Sequence, residues 1–143
     1  MAARLGNGLH LPDEVEVLAA ATAGFALMEY LAGRERVLIV DTIRTGRATP
    51  GSLHRFPIDK LAPTHRLTTS HQINLPTALE FGRRLGLTMP KAVDVLAVEA
   101  DDLETLRESL TPPVAGAVEI AALEVRKWLH QNRSKEVSDG AKR

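Results

Sequence analysis

Two side chains in this sequence have the types and the setting to do chemistry together, Asp41 and His71. Asp41 closes the run Arg36-Val37-Leu38-Ile39-Val40-Asp41. His71 stands in Thr68-Thr69-Ser70-His71-Gln72, where an irregular stretch gives way to a helical pattern. A carboxylate oxygen and an imidazole nitrogen brought to one cleft form part of a borderline metal site, although two ligands are too few for tight binding. Each residue also has a plain structural reading. An Asp after a strand often caps the next turn, and a lone His is often just a surface or packing residue.

The remaining histidines are weaker candidates. His54 lies in a predicted edge strand, His65 in a polar loop, His10 near the start, and His130 in the last turn of a helix, where its charge would complement the helix dipole. No gapped pair has zincin or zinc-finger spacing, and there is no Gly-x-Ser-x-Gly elbow or Walker loop. Ser70 and His71 are adjacent, and adjacent side chains on a helix diverge, which argues against a hydrolase dyad. The chain has no Cys, so thiolate ligands, a Cys nucleophile and disulfides are excluded, and a reducing cytoplasm is the compartment expected.

The elements that must position these residues alternate between strand and helix. Val15 to Ala20 predicts a strand after the turn formers Pro12 and Asp13, and Ala23 to Leu31 a helix stopped by Gly33. Four aliphatic residues, Val37 to Val40, predict a strand buried on both faces, with Asp41 at its carboxyl end. Ser52 to Phe56 reads as a short strand that Pro57 demotes towards an edge. A helix follows Ser70, with Ile73, Leu75, Leu79, Phe81 and Leu85 on its apolar side, closed by Gly86 and Pro90. Ala92 to Val98 is a further strand, Asp101 to Leu110 a short acidic helix, and Pro112 to Gln131 a longer one with Val114, Val118, Ala121, Val125 and Leu129 on one stripe. This order predicts an α/β fold of three layers, with a mostly parallel twisted sheet between helices and ligands bound beyond the strands' carboxyl ends.

At 143 residues, with 44% hydrophobic and 25% charged residues, the chain suits one globular domain, expected over residues 1–131, with residues 132–143 as a frayed polar tail. Eighteen Lys plus Arg balance eighteen Asp plus Glu, so no global field draws in nucleic acid or an anionic membrane. The start holds no apolar stretch long enough for a signal peptide or a membrane span. Oligomeric state is not legible.

Five spaced segments, Thr22-Ala23-Gly24, Leu38-Ile39-Val40-Asp41, Thr49-Pro50-Gly51-Ser52, Ser70-His71-Gln72 and Leu110-Thr111-Pro112-Pro113-Val114, resemble in order and spacing those of the hydrogenase maturation proteases. The resemblance implies an endopeptidase that removes a C-terminal peptide from the nickel-loaded precursor of a nickel-iron hydrogenase large subunit. It implies Asp41 and His71 as ligands that engage nickel carried by the precursor, whether to recognise it or to polarise the scissile carbonyl. The family's first acidic ligand follows a Gly-x-Gly-Asn turn after an opening strand, and no such strand precedes residue 5. Gly6-Asn7 with Asp13-Glu14 supplies similar residue types, but too few residues separate Glu14 from Thr22 for the family's first helix. Ala19-Ala20-Ala21 also departs from the Asp and two glycines usual before the Thr. The opening strand and its ligand are therefore expected to be missing, and the alternative is a homologue that binds the precursor without cleaving it.

Overall fold

A computed structural model of the chain describes residues 11–19, 26–60, 68–69, 75–102 and 109–140. In chain order its elements are α1 (Ala26–Leu31), β1 (Arg36–Arg44), β2 (Leu53–Pro57), a 3-10 turn (Ile58–Lys60), β3 (Thr68–Thr69), α2 (Leu75–Arg84), β4 (Ala92–Glu99) and α3 (Pro112–Gly140). The strands form one sheet in the order β2-β4-β1-β3. β1 and β4, the two most apolar strands, pair in parallel at its centre from Arg36 opposite Ala92 to Ile43 opposite Glu99. Parallel pairing suits strands covered on both faces, as β4 is from Val95 to Glu99, whereas Val37 to Val40 of β1, expected to be buried, are half-buried. The flanking pairs, β2 with β4 and β1 with β3, are antiparallel. The expected parallel arrangement thus holds for the buried centre, and the described sheet as a whole is mixed.

Side chains alternate across the sheet, so each strand serves two layers. Leu38, Val40, Leu96 and Val98 face α3, which meets them with Val114, Ala117 and Ala121, joined by Val118, Ala122 and Val125. Ala121 and Val98 are fully buried. At the far end of this face the Trp128 indole N–H donates to Asp94 Oδ2 at 2.6 Å, and an Arg36 guanidinium nitrogen donates to Asn132 Oδ1 at 3.0 Å. The opposite face carries Val37, Ile39 and Val93, covered by Leu27, Met28 and Leu31 of α1 and by Leu75, Ala78 and Leu79 of α2. Nearer the carboxyl ends it carries Ile43, Val95 and Ala97, packed against Phe56 and Ile58.

Several sequence expectations change. Residues 15–19 are not a strand: Val17 and Leu18 are exposed and no described strand pairs with them. α3 runs on to Gly140 through the segment expected to fray. No Pro or Gly occurs between Asn132 and Asp139, so nothing breaks the helix before that glycine. β1 continues three residues past Asp41 to Arg44, so Asp41 lies inside the strand's last turns of pairing rather than at its end. Most of the expected helix at Asp101 to Leu110 lies outside the described residues, as does the Thr22-Ala23-Gly24 segment. No helix among the described residues is long and apolar enough to cross a membrane.

Candidate functional site

The two central strands bring their carboxyl ends to one edge of the sheet, and the loops there are tied together by a buried acid. Glu99, the last residue of β4, is 1% exposed. Its Oε1 accepts hydrogen bonds from the backbone N–H of Thr45 (2.7 Å) and of Gly46 (3.1 Å). The Thr45 hydroxyl lies 3.0 Å from each carboxylate oxygen. Gly46 has a φ of 68°, a left-handed conformation that turns successive N–H groups towards the acid and that a side chain would strain. The Glu99 backbone holds the other end of the same loop, with its carbonyl accepting from Gly51 N–H (2.7 Å) and its N–H donating to the Ser52 carbonyl (2.8 Å). One residue therefore pins both ends of the stretch from Thr45 to Ser52.

That stretch also abuts the start of α3. Gly51 has a φ of 90°, and a Cβ there would stand 2.8 Å from the Pro113 carbonyl oxygen. Only glycine fits both the conformation and the space. Thr111, just before α3, accepts from Ala115 N–H through its carbonyl and donates its hydroxyl to Asp101 Oδ1 at 2.8 Å. The separate segments Thr49-Pro50-Gly51-Ser52 and Thr111-Pro112-Pro113 are thus neighbours at the carboxyl edge of the sheet.

Asp41 shares this region. By strand alternation its side chain lies on the face of Ile43, Ala97 and Glu99, half-buried, with Oδ1 accepting from Thr42 N–H at 2.7 Å. The other expected ligand, His71, lies outside the described residues, as do His10 and His65. His130 lies on α3 and is exposed. Among the described residues no group of three or more His, Asp or Glu is placed to hold a metal ion.

Two acids and one histidine gain or lose from the folded arrangement. Glu14 is exposed and its Oε1 lies 3.7 Å from Arg133 Nε, next to Asn132 and hence to Arg36 at the amino ends of the strands. It stands at the opposite end of the sheet from the loop that Glu99 pins. His54, rated weak in the sequence, lies opposite Ala97, as Asp41 does on the other side, so the three form one row across β2, β4 and β1. Glu99 was not singled out, yet it is the one charged residue in Val95 to Ala100. The reasoning applied to Asp41, a carboxylate near the carboxyl end of a buried strand, would have found it.

The model of the family described as hydrogenase maturation protease matches residues 1–128. The chain belongs to this family. It is 30% identical over 124 residues to the hydrogenase 2 maturation protease of Escherichia coli K12, an alignment covering 85% of this chain and 74% of that protein. Among solved structures it is similar to the hydrogenase maturating endopeptidase HybD from E. coli, with a TM-score of 0.71, 27% identity, and coverage of 91% of this chain and 82% of the other. It is also similar to an E. coli endopeptidase solved in solution, with a TM-score of 0.69, 29% identity and the same coverage. These likenesses establish the α/β fold and the peptidase class for the family member described above, and the non-catalytic alternative finds no support among them.

Proposed function

We propose that this hydrogenase maturation protease is an endopeptidase that removes a C-terminal peptide from the nickel-loaded precursor of a nickel-iron hydrogenase large subunit. In this reading it works in the cytoplasm, in keeping with its cysteine-free composition. Nickel belongs to the substrate, and Asp41 with His71 engages it. The observation that carries the reading is the position of Asp41, half-buried at the carboxyl edge of a parallel strand pair and beside a loop pinned at both ends by Glu99. A carboxylate carried on a paired strand is held in one geometry, which is what recognition of a metal already held by another protein demands. His71 enters through the family motif Ser70-His71-Gln72.

The test is to incubate the purified chain with nickel-loaded precursor and to follow release of the C-terminal peptide by mass spectrometry. Cleavage is expected for the native chain and is expected to be lost in both Asp41→Ala and His71→Ala. Cleavage that persists when both are replaced would sink the assignment.

A further inference from the structure

His54 takes no part in that reading, and it faces Glu99, which enters it only as the anchor of a loop. Nε2 of His54 lies 3.9 Å from Oε2 of Glu99, with the imidazole 40% exposed and the carboxylate 1% exposed. Nε2 is itself buried and has no hydrogen-bond partner. A buried ring nitrogen without a partner is uncommon in a settled core, because it forfeits its bonds to water and receives nothing in return. The carboxylate ahead of it is about 1 Å beyond hydrogen-bond reach, a gap that a small rotation of the ring closes. Meanwhile the rest of the ring reaches the surface, on an edge strand.

The same strand register sets His54 against Asp41. Both lie opposite Ala97, on the face of the sheet that carries Ile43 and Glu99. Adjacent strands are about 5 Å apart, so their Cα atoms are about 10 Å apart with only a methyl group between them. That alanine is itself only 2% exposed, packed with Ile43, Phe56 and Ile58, so a substrate reaches the imidazole from its exposed side rather than over Ala97. Glu99 is already held by Thr45 and Gly46, so a ring bonded to it would inherit a fixed orientation.

We propose that His54 is the proton-transfer group of the peptide cleavage and that Glu99 is the residue that positions its ring. The proposal rests on the endopeptidase reading above. Glu99 accepts Nε2–H, which leaves the lone pair on Nδ1. As a water oxygen bonds to the scissile carbonyl carbon, Nδ1 takes one of that water's protons. When the C–N bond breaks, its electron pair stays on the leaving nitrogen, which receives the proton back from Nδ1. One water is consumed, a carboxyl group and an amine are formed, and His54 ends as it began. A group in this role contributes about 100-fold or more to the rate.

The experiment uses the full chain and nickel-loaded hydrogenase precursor, measuring kcat and KM by peptide release, precursor binding by pull-down, and thermal melting of each variant. His54→Ala is expected to lower kcat by about 100-fold or more while KM stays within about threefold and melting is unchanged. Added free imidazole is expected to restore part of the lost rate. Glu99→Gln keeps an acceptor for Thr45 and is expected to lower kcat by about tenfold in the native background and not further in the His54→Ala background. If His54→Ala fails to fold, His54→Gln carries the same expectation. The proposal is overturned if the His54 variant cleaves within about threefold of the native rate, if its loss follows precursor binding rather than kcat, or if Glu99→Gln acts equally in both backgrounds. A native chain inactive on this precursor overturns the endopeptidase reading and this proposal with it. An active native chain beside an equally active His54 variant overturns this proposal alone.

Discussion

The two faces of the sheet use the same strands differently. On the α3 face, the side chains that β4 turns inward are Leu96 and Val98, with Asp94 satisfied by the Trp128 indole. On the opposite face, the half nearest the carboxyl ends carries Asp41, His54 and Glu99 around Ala97, and one buried nitrogen there has no partner. The first face is a sealed apolar layer whose one acid is paired. The second has an apolar layer of its own and places titratable groups beside it near the carboxyl ends of the strands. If the proposed chemistry is confined to the carboxyl end of the second face, substitutions on the first should change stability without changing cleavage.

Leu96→Ala strikes the sealed face at a side chain that is 1% exposed against Ala121. A loss of about 2–5 kcal/mol is expected in urea unfolding, with cleavage per folded molecule unchanged. A large fall in kcat at full folding would break the division between the faces. Trp128→Phe removes the donor to Asp94 at the far end of the same face. It is expected to lower stability by about 1–3 kcal/mol, again without altering kcat.

The smallest effect belongs to the solvent side of α3. There the exposed Glu124 carboxyl is held below its ordinary range, chiefly by the hydrogen bond from Lys127 at 2.6 Å and then by that side chain's charge. A lowered folded-state pKa contributes stability above the ordinary carboxylate pKa and loses it as pH falls through the folded value. Because the pair is exposed and screened, Glu124→Gln is expected to leave the neutral-pH melting temperature unchanged within error. An NMR titration of the native carboxyl should still register its depressed midpoint.

Much of this was legible in the residues. Val37 to Val40 identified the central strand, and Pro57 marked the neighbouring strand as an edge. The apolar spacing after Pro112 identified the helix that seals one face, although that helix runs on to Gly140. Asp41 was recognisable because a charge directly after an aliphatic run that reads as a core strand is costly unless it serves something. The strand expected at Val15 to Ala20 is absent over residues 15–19, where Val17 and Leu18 are exposed, because apolar residues specify a strand only through the packing they find.

By itself, then, the sequence determined the family, the strand-helix order and the two residues to test, because hydrophobic period, turn chemistry and motif order are local properties written along the chain. Only the tertiary structure decided that Glu99 pins both ends of the Thr45 to Ser52 loop, that Glu14 sits at the far end of the sheet, and that His54 and Asp41 flank one alanine. Those relations depend on strand register. His54, Ala97 and Asp41 come from three strands far apart in sequence, and the hydrogen-bond ladder aligns them with a precision that no spacing along the chain records.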